Sequence, residues 1–232
     1  MKCSSSSLAV LLFLCAVSFW TGSPVAAQQA GVASTLHNLS VTGPGDFKSQ
    51  TETEVCKFCH IPHNAVIAKP LWGHALSQVA QYKVPRIRRG GRASEPAPQP
   101  GGSSRMCLSC HDGTVALGKI AGNNKRVKMA GAQRLSPGRK GFLGTDLSGS
   151  HPISFVVPDG DPGGGDGARD MRIKPLPNNN SAAGARLDKK GKMQCTTCHD
   201  PHSDEYYQPE RVPHFWARPS VEEVCLTCHA LQ

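Results

Sequence analysis

The chain has 232 residues, 38% of them hydrophobic and 6% aromatic, against 24 glycines and 18 prolines, a composition that excludes a large core built from side chains alone. Its formal charge of +9 would suit a polyanion, yet the cluster Lys83, Arg86, Arg88, Arg89 and Arg92 has no aromatics interleaved. That pattern argues against nucleic acid and for contact with small carboxylates or a partner surface.

Taken in order, the chain opens with Lys2, an apolar run over 8–20 and small residues with Val25 and Ala27 where a signal peptidase reads. The reading is a signal peptide over 1–27, cut after Ala27. Cys15 is preceded by Leu14, where a lipid anchor requires a small residue, and no later apolar stretch is long enough for an integral membrane span. The mature chain, about 205 residues, is therefore expected to be exported.

The pattern C-x-x-C-H then occurs four times, at Cys56, Cys59 and His60; Cys107, Cys110 and His111; Cys195, Cys198 and His199; and Cys225, Cys228 and His229. Two thiols three positions apart add across the vinyl groups of one porphyrin, and the adjoining imidazole takes an axial position on its iron. A histidine directly after every pair disfavours zinc ribbons and dithiol redox pairs. Four haem c groups are expected. Of ten cysteines, Cys3 and Cys15 fall in the signal and the other eight all belong to motifs, so none is left for a disulfide. Loss of Lys2 brings the charge to about +8, and eight propionates bring the loaded protein to about neutral.

The chain also repeats itself. His37-Asn38-Leu39-Ser40, Cys56 to His60 followed by Ile61-Pro62-His63, and Cys107-Leu108-Ser109-Cys110-His111 recur as His151-Pro152-Ile153-Ser154, Cys195 to His199 followed by Asp200-Pro201-His202, and Cys225-Leu226-Thr227-Cys228-His229. The expected fold is mostly irregular coil with few short α-helices and a haem-organised core, in tandem two-haem modules over 28–118 and 146–232. A basic linker over 119–145 joins them; its part 119–140 has no acidic residue. Residues 85–104 and 158–180 are expected as loops, and no stretch alternates as a sheet requires. Thr51 with Glu54 and Ser220 with Glu223 have capping-box spacing, and Gly113 marks a helix stop. Asp159, Asp161, Asp166 and Asp170 do not fit a calcium loop.

His60, His111, His199 and His229 are the expected proximal ligands, leaving His37, His63, His74, His151, His202 and His214 for the opposite faces. His63 and His202 follow a proximal histidine by three positions, on the same face of a local turn, so neither can close its own haem and each must reach another. The favoured distal set is His37, His63, His151 and His202. The rival pair, His74 and His214, lies fourteen and fifteen residues past a proximal histidine, near Trp72 and Trp216. Met106 and Met193 adjoin attachment cysteines and cannot reach across a macrocycle, so bis-histidine coordination and low potentials are expected.

Several motifs together carry a resemblance: H-x-L-S near the mature start, C-H-x-P-H-N at 59–64, P-L-W at 70–72, C-L-S-C-H-D-G-T at 107–114 and S-H-P-I-S at 150–154. The chain resembles the exported multihaem c-type cytochromes of metal-respiring prokaryotes, in particular the filament-forming tetrahaem, OmcE-like nanowire cytochromes. The resemblance implies a continuous haem chain, a homo-polymer outside the cell, and one axial ligand donated across a subunit boundary. His37, on an N-terminal arm with no evident core to join, is expected to be that ligand. The function expected is electron transfer, not catalysis, toward other redox proteins or extracellular acceptors, from a surface filament or the periplasm. A monomeric periplasmic shuttle and a redox enzyme with one open iron are the rival classes.

Overall fold

A computed structural model describes residues 31–87, 94–121, 126–158, 172–176 and 184–230. The signal segment 1–27, Asp159, Asp161, Asp166 and Asp170, and Arg88, Arg89 and Arg92 lie outside the described residues. Most of the described chain is coil. Three α-helices interrupt it, α1 Gly102–His111, α2 Cys195–Cys198 and α3 Val221–Leu226, with 3-10 turns at Val32–Ser34 and Val55–Phe58. Among the described residues no helix is long and apolar enough to cross a membrane.

Each helix, and the second 3-10 turn, carries attachment cysteines. α1 runs past both thiols to His111, and Gly113 then takes φ +75°, a left-handed stop that costs a glycine little. α3 is capped by Ser220, whose side chain accepts from the Glu223 N–H. The expected box at Thr51 and Glu54 does not form. Ser49 Oγ instead accepts from the N–H groups of Thr51 and Glu52, and Glu52 turns its carboxylate to Lys57 at 2.6 Å. The loop expected over 85–104 also ends early, because Gly102, Ser103 and Ser104 already belong to α1.

Pairing of strands is minimal: β1 Lys48–Ser49 with β4 Met129–Ala130, β2 Arg86–Ile87 with β3 Glu95–Pro96, and β5 Arg172–Ile173 with β6 His229–Ala230, all antiparallel. These two-residue ladders are too short to leave a pattern in sequence. The first ties residues 119–145, read as a linker, to the first half. Met129 and Ile120 pack with Phe58, Ile61 and Leu117, and the Leu143 N–H donates to the His111 carbonyl. A basic run is thus anchored by its few apolar side chains. A second cluster gathers Val157, Ala185, Met193 and Cys228, and a third Tyr82, Leu108 and Leu147. All three are small, as the composition requires.

The internal repeat is visible in hydrogen bonding. The Ile61 N–H donates to the Leu71 carbonyl and the Gly73 N–H to that of Cys59; in the second half Asp200 donates to Phe215 and Ala217 to Cys198. Leu71 and Phe215 share a positive φ, +63° and +61°. Trp72 and Trp216 are therefore equivalent, each bridged to a proximal histidine, His60 or His199. His74 consequently corresponds to Arg218 and not to His214, although both histidines lie fourteen or fifteen residues past a proximal one, because the loops between the shared features differ in length.

Candidate haem sites

An iron with two axial imidazoles holds their ring centres about 6 Å apart, because each metal–nitrogen bond is about 2 Å and each ring centre lies about 1.2 Å beyond its nitrogen. Among the described residues three histidine pairs have that separation. His37 and His111 stand 6.0 Å apart, His60 and His202 6.1 Å, and His151 and His229 6.3 Å. Every pair joins one motif histidine to one histidine of the expected distal set. Two pairs respect the repeat, with His37 to His111 as His151 to His229; the third crosses between halves.

Second contacts orient these rings. The Nδ1 atoms of His60, His111, His37 and His151 lie 2.8, 2.6, 3.1 and 2.8 Å from the carbonyl oxygens of Pro70, Gly141, Pro201 and Pro152. An Nδ1–H that donates to a carbonyl fixes the tautomer with its lone pair on Nε2, the atom an iron takes, and strengthens it as a ligand. Burial lowers the pKa of His37 to about 4, so its ring is neutral at physiological pH.

His37, expected to serve a neighbouring subunit, instead packs within its own chain. Its ring stacks on Phe215, centroids 4.0 Å apart and 14° from parallel. Phe215 and the Pro201 carbonyl supply the docking surface that the arm lacks locally.

The rival histidines are otherwise engaged. His74 is fully buried, with Nδ1 3.0 Å from the Ala75 carbonyl and Nε2 3.1 Å from that of Ala116 and 3.6 Å from Cys110 Sγ, so one of its nitrogens is committed to a backbone carbonyl. His214 gives its Nδ1–H to Asp204 at 2.5 Å and stacks on Tyr207, with no imidazole opposite it among the described residues. Met193 is buried in the second cluster.

Two members of the expected set remain. His199 is packed edge-on against Trp216, 4.8 Å between centroids, and among the described residues no imidazole faces it across the width of an iron. His63 is exposed, with no hydrogen bond or ring partner among the described residues. It sits on a turn with exposed Val66 and Leu71.

The attachment thiols form a sequence of near neighbours. Burial pushes the Cys110 thiol up to about 12, and the nearby Cys59 adds to the shift. Cys107 is raised by the Cys195 thiol bonded to it, while Cys195 is lowered to about 7 by the same contact. Cys198 is raised to about 11, chiefly by burial and then by Cys228 and Cys225. The motifs are thus neighbours in chain order, first to fourth. The eight cysteines of the described residues form no disulfide. Asp112, directly after His111, locks its turn by accepting from Tyr82 Oη at 2.7 Å and from the Thr114 N–H and hydroxyl at 2.8 Å.

Residues present therefore fit haem c: paired thiols, an adjoining imidazole, and a gap the width of one iron opposite three of them. Residues 189–232 match the family model described as the doubled CXXCH motif. No curated protein matches the chain. That match supports covalent haem c binding, and with it electron transfer in general, for the part of the chain it covers.

Proposed function

We propose that the chain carries four haem c groups, exported, and passes electrons along them as the subunit of a head-to-tail polymer outside the cell. Haem c supplies the one-electron iron couple, and the protein supplies both axial imidazoles, the thioether anchors and a spacing that keeps the groups in a line. It acts as a conductor and not as an enzyme. The observation that carries this reading is the mismatch of His63 and His199. His202 follows the third motif and faces His60 of the first; His63 follows the first motif, is its counterpart in the repeat, and should serve His199 of the third. Three pairs close within one chain and the fourth does not, so the remaining donor and acceptor are complementary ends of one molecule. An end-to-end contact of two different surfaces that does not close on itself grows an open helical filament.

His63→Ala tests this. Four haems should remain attached, and light scattering and negative-stain microscopy should show single subunits where the unaltered protein shows filaments. Polymers of the variant indistinguishable from the parent would overturn the assignment. The unopposed side of His199 favours a second reading, in which its iron keeps an open position and the chain works alone as a redox enzyme; rapid carbon monoxide binding by one iron in four of the native assembly would select it.

A further inference from the structure

We propose that Ser104, Ser154 and Gln194 are positioning residues that set the approach of the second attachment motif to the third, and so the passage of electrons between the two halves of the chain. The inference rests on haem attachment at those two motifs and not on polymerisation.

The three side chains form a closed buried network, with Ser104 0%, Ser154 3% and Gln194 2% exposed. The Ser104 hydroxyl donates to Gln194 Oε1 at 2.6 Å and accepts from the Cys195 N–H at 3.0 Å. Ser154 does the same from the other side, donating to Gln194 Oε1 at 3.2 Å and accepting from the Gly101 N–H at 2.9 Å. Both acceptor sites of Oε1 are thus filled, and Nε2 donates one of its two N–H groups to Asp188 at 2.9 Å. Four of the bonds in this region join residues before 119 to residues after 146, counting Ser103 Oγ to Thr196 Oγ1 at 2.8 Å.

Nothing in the network is adjustable. α1 begins against the Gln194 amide: Gly102 has φ +54°, and a Cβ there would lie 2.8 Å from Nε2. Ser104 is one turn before Cys107 on the same face of α1, and Gln194 directly precedes Cys195. Any movement of these side chains is therefore delivered to α1 and α2, which pack on each other and carry Cys107 and Cys195. A sub-ångström shift at a packed polar junction moves the whole element, since such contacts rearrange between discrete arrangements and do not stretch. Electron tunnelling falls exponentially with the gap crossed, so a contact that fixes this gap governs the rate across it.

The test uses the haem-loaded protein with Gln194→Leu, close in volume but unable to bond, and with Ser104→Ala beside the conservative Ser104→Thr. The readout is the excitonic couplet in Soret-region circular dichroism, which depends on the mutual orientation of neighbouring haems and not on stability, read with the haem count from mass spectrometry. Four attached haems with a diminished couplet in Gln194→Leu and Ser104→Ala, recovered in Ser104→Thr, is the expected result. An unchanged couplet in both variants would overturn the proposal. Should either fail to load, Ser103→Ala removes a single, less buried bond of the same junction, and its couplet must then be weakened; a parental couplet overturns the proposal equally. The mass of the unaltered protein tests the haem reading separately.

Discussion

Replacing His37 by alanine separates what the N-terminal arm does within one chain from what happens between chains. The ring lies 6.0 Å from His111 and stacks on Phe215 at 4.0 Å, with its Nδ1–H on the Pro201 carbonyl. Its loss removes one axial ligand of one iron in four, so about a quarter of the iron should become high-spin. The stack contributes about 0.5–1.5 kcal/mol and the hydrogen bond about 1 kcal/mol. The arm should therefore loosen by roughly 2 kcal/mol beyond the lost iron bond. Resting EPR gives the spin count, and hydrogen exchange over 31–43 gives the loosening. Because His63 and His199 are untouched, the variant should still polymerise, and added imidazole should return the iron to low spin. Loss of filaments would place His37 across the boundary after all, and a fully low-spin variant would show that another group closes that iron.

Two further outcomes follow from the junction. Gly102→Ala forces a side chain into left-handed backbone, about 1–2 kcal/mol, and against the Gln194 amide, so thermal unfolding of the holoprotein should fall by more than a backbone effect alone, about 2 kcal/mol or more. Asp188 is held below the usual aspartate range by its bonds from Gln194 and the Lys192 and Lys190 N–H groups, which outweigh the opposing effect of burial. A depressed folded pKa means stability present above the unfolded value of about 3.9 and lost as pH falls through the lower folded value. Stability should therefore decline as pH falls below about 4 and this carboxylate is protonated, and Asp188→Asn should flatten that part of the profile.

The parts of this molecule that chemistry dictates locally were legible in its sequence. Thiol spacing and the adjoining histidine marked eight candidate anchors and four candidate proximal rings, and a composition poor in large apolar groups implied the mostly coil fold that the chain has. The repeat marked His151 as a distal candidate by its match to His37, and its place three residues after His199 marked His202 as a candidate for a haem other than its own. What depends on distant packing was not legible. Phe215, which seats His37, lies far along the chain and takes its place through a positive φ. Ser104 and Gln194 are ordinary polar residues until α1 and α2 are docked. The equivalence of Trp72 and Trp216 was hidden by unequal loops, and for that reason His74 and His214 looked like a pair.

The spin state of the unaltered protein as a function of assembly is the most direct test of ligation across a subunit boundary. If His63 of one copy closes the iron at His199 of the next, filaments should be wholly low-spin, apart from their ends. Subunits dissociated under mild conditions should then show about one high-spin iron in four, which binds carbon monoxide and reverts on reassembly. Subunits that stay wholly low-spin when dispersed, or filaments that retain the high-spin quarter, would contradict it.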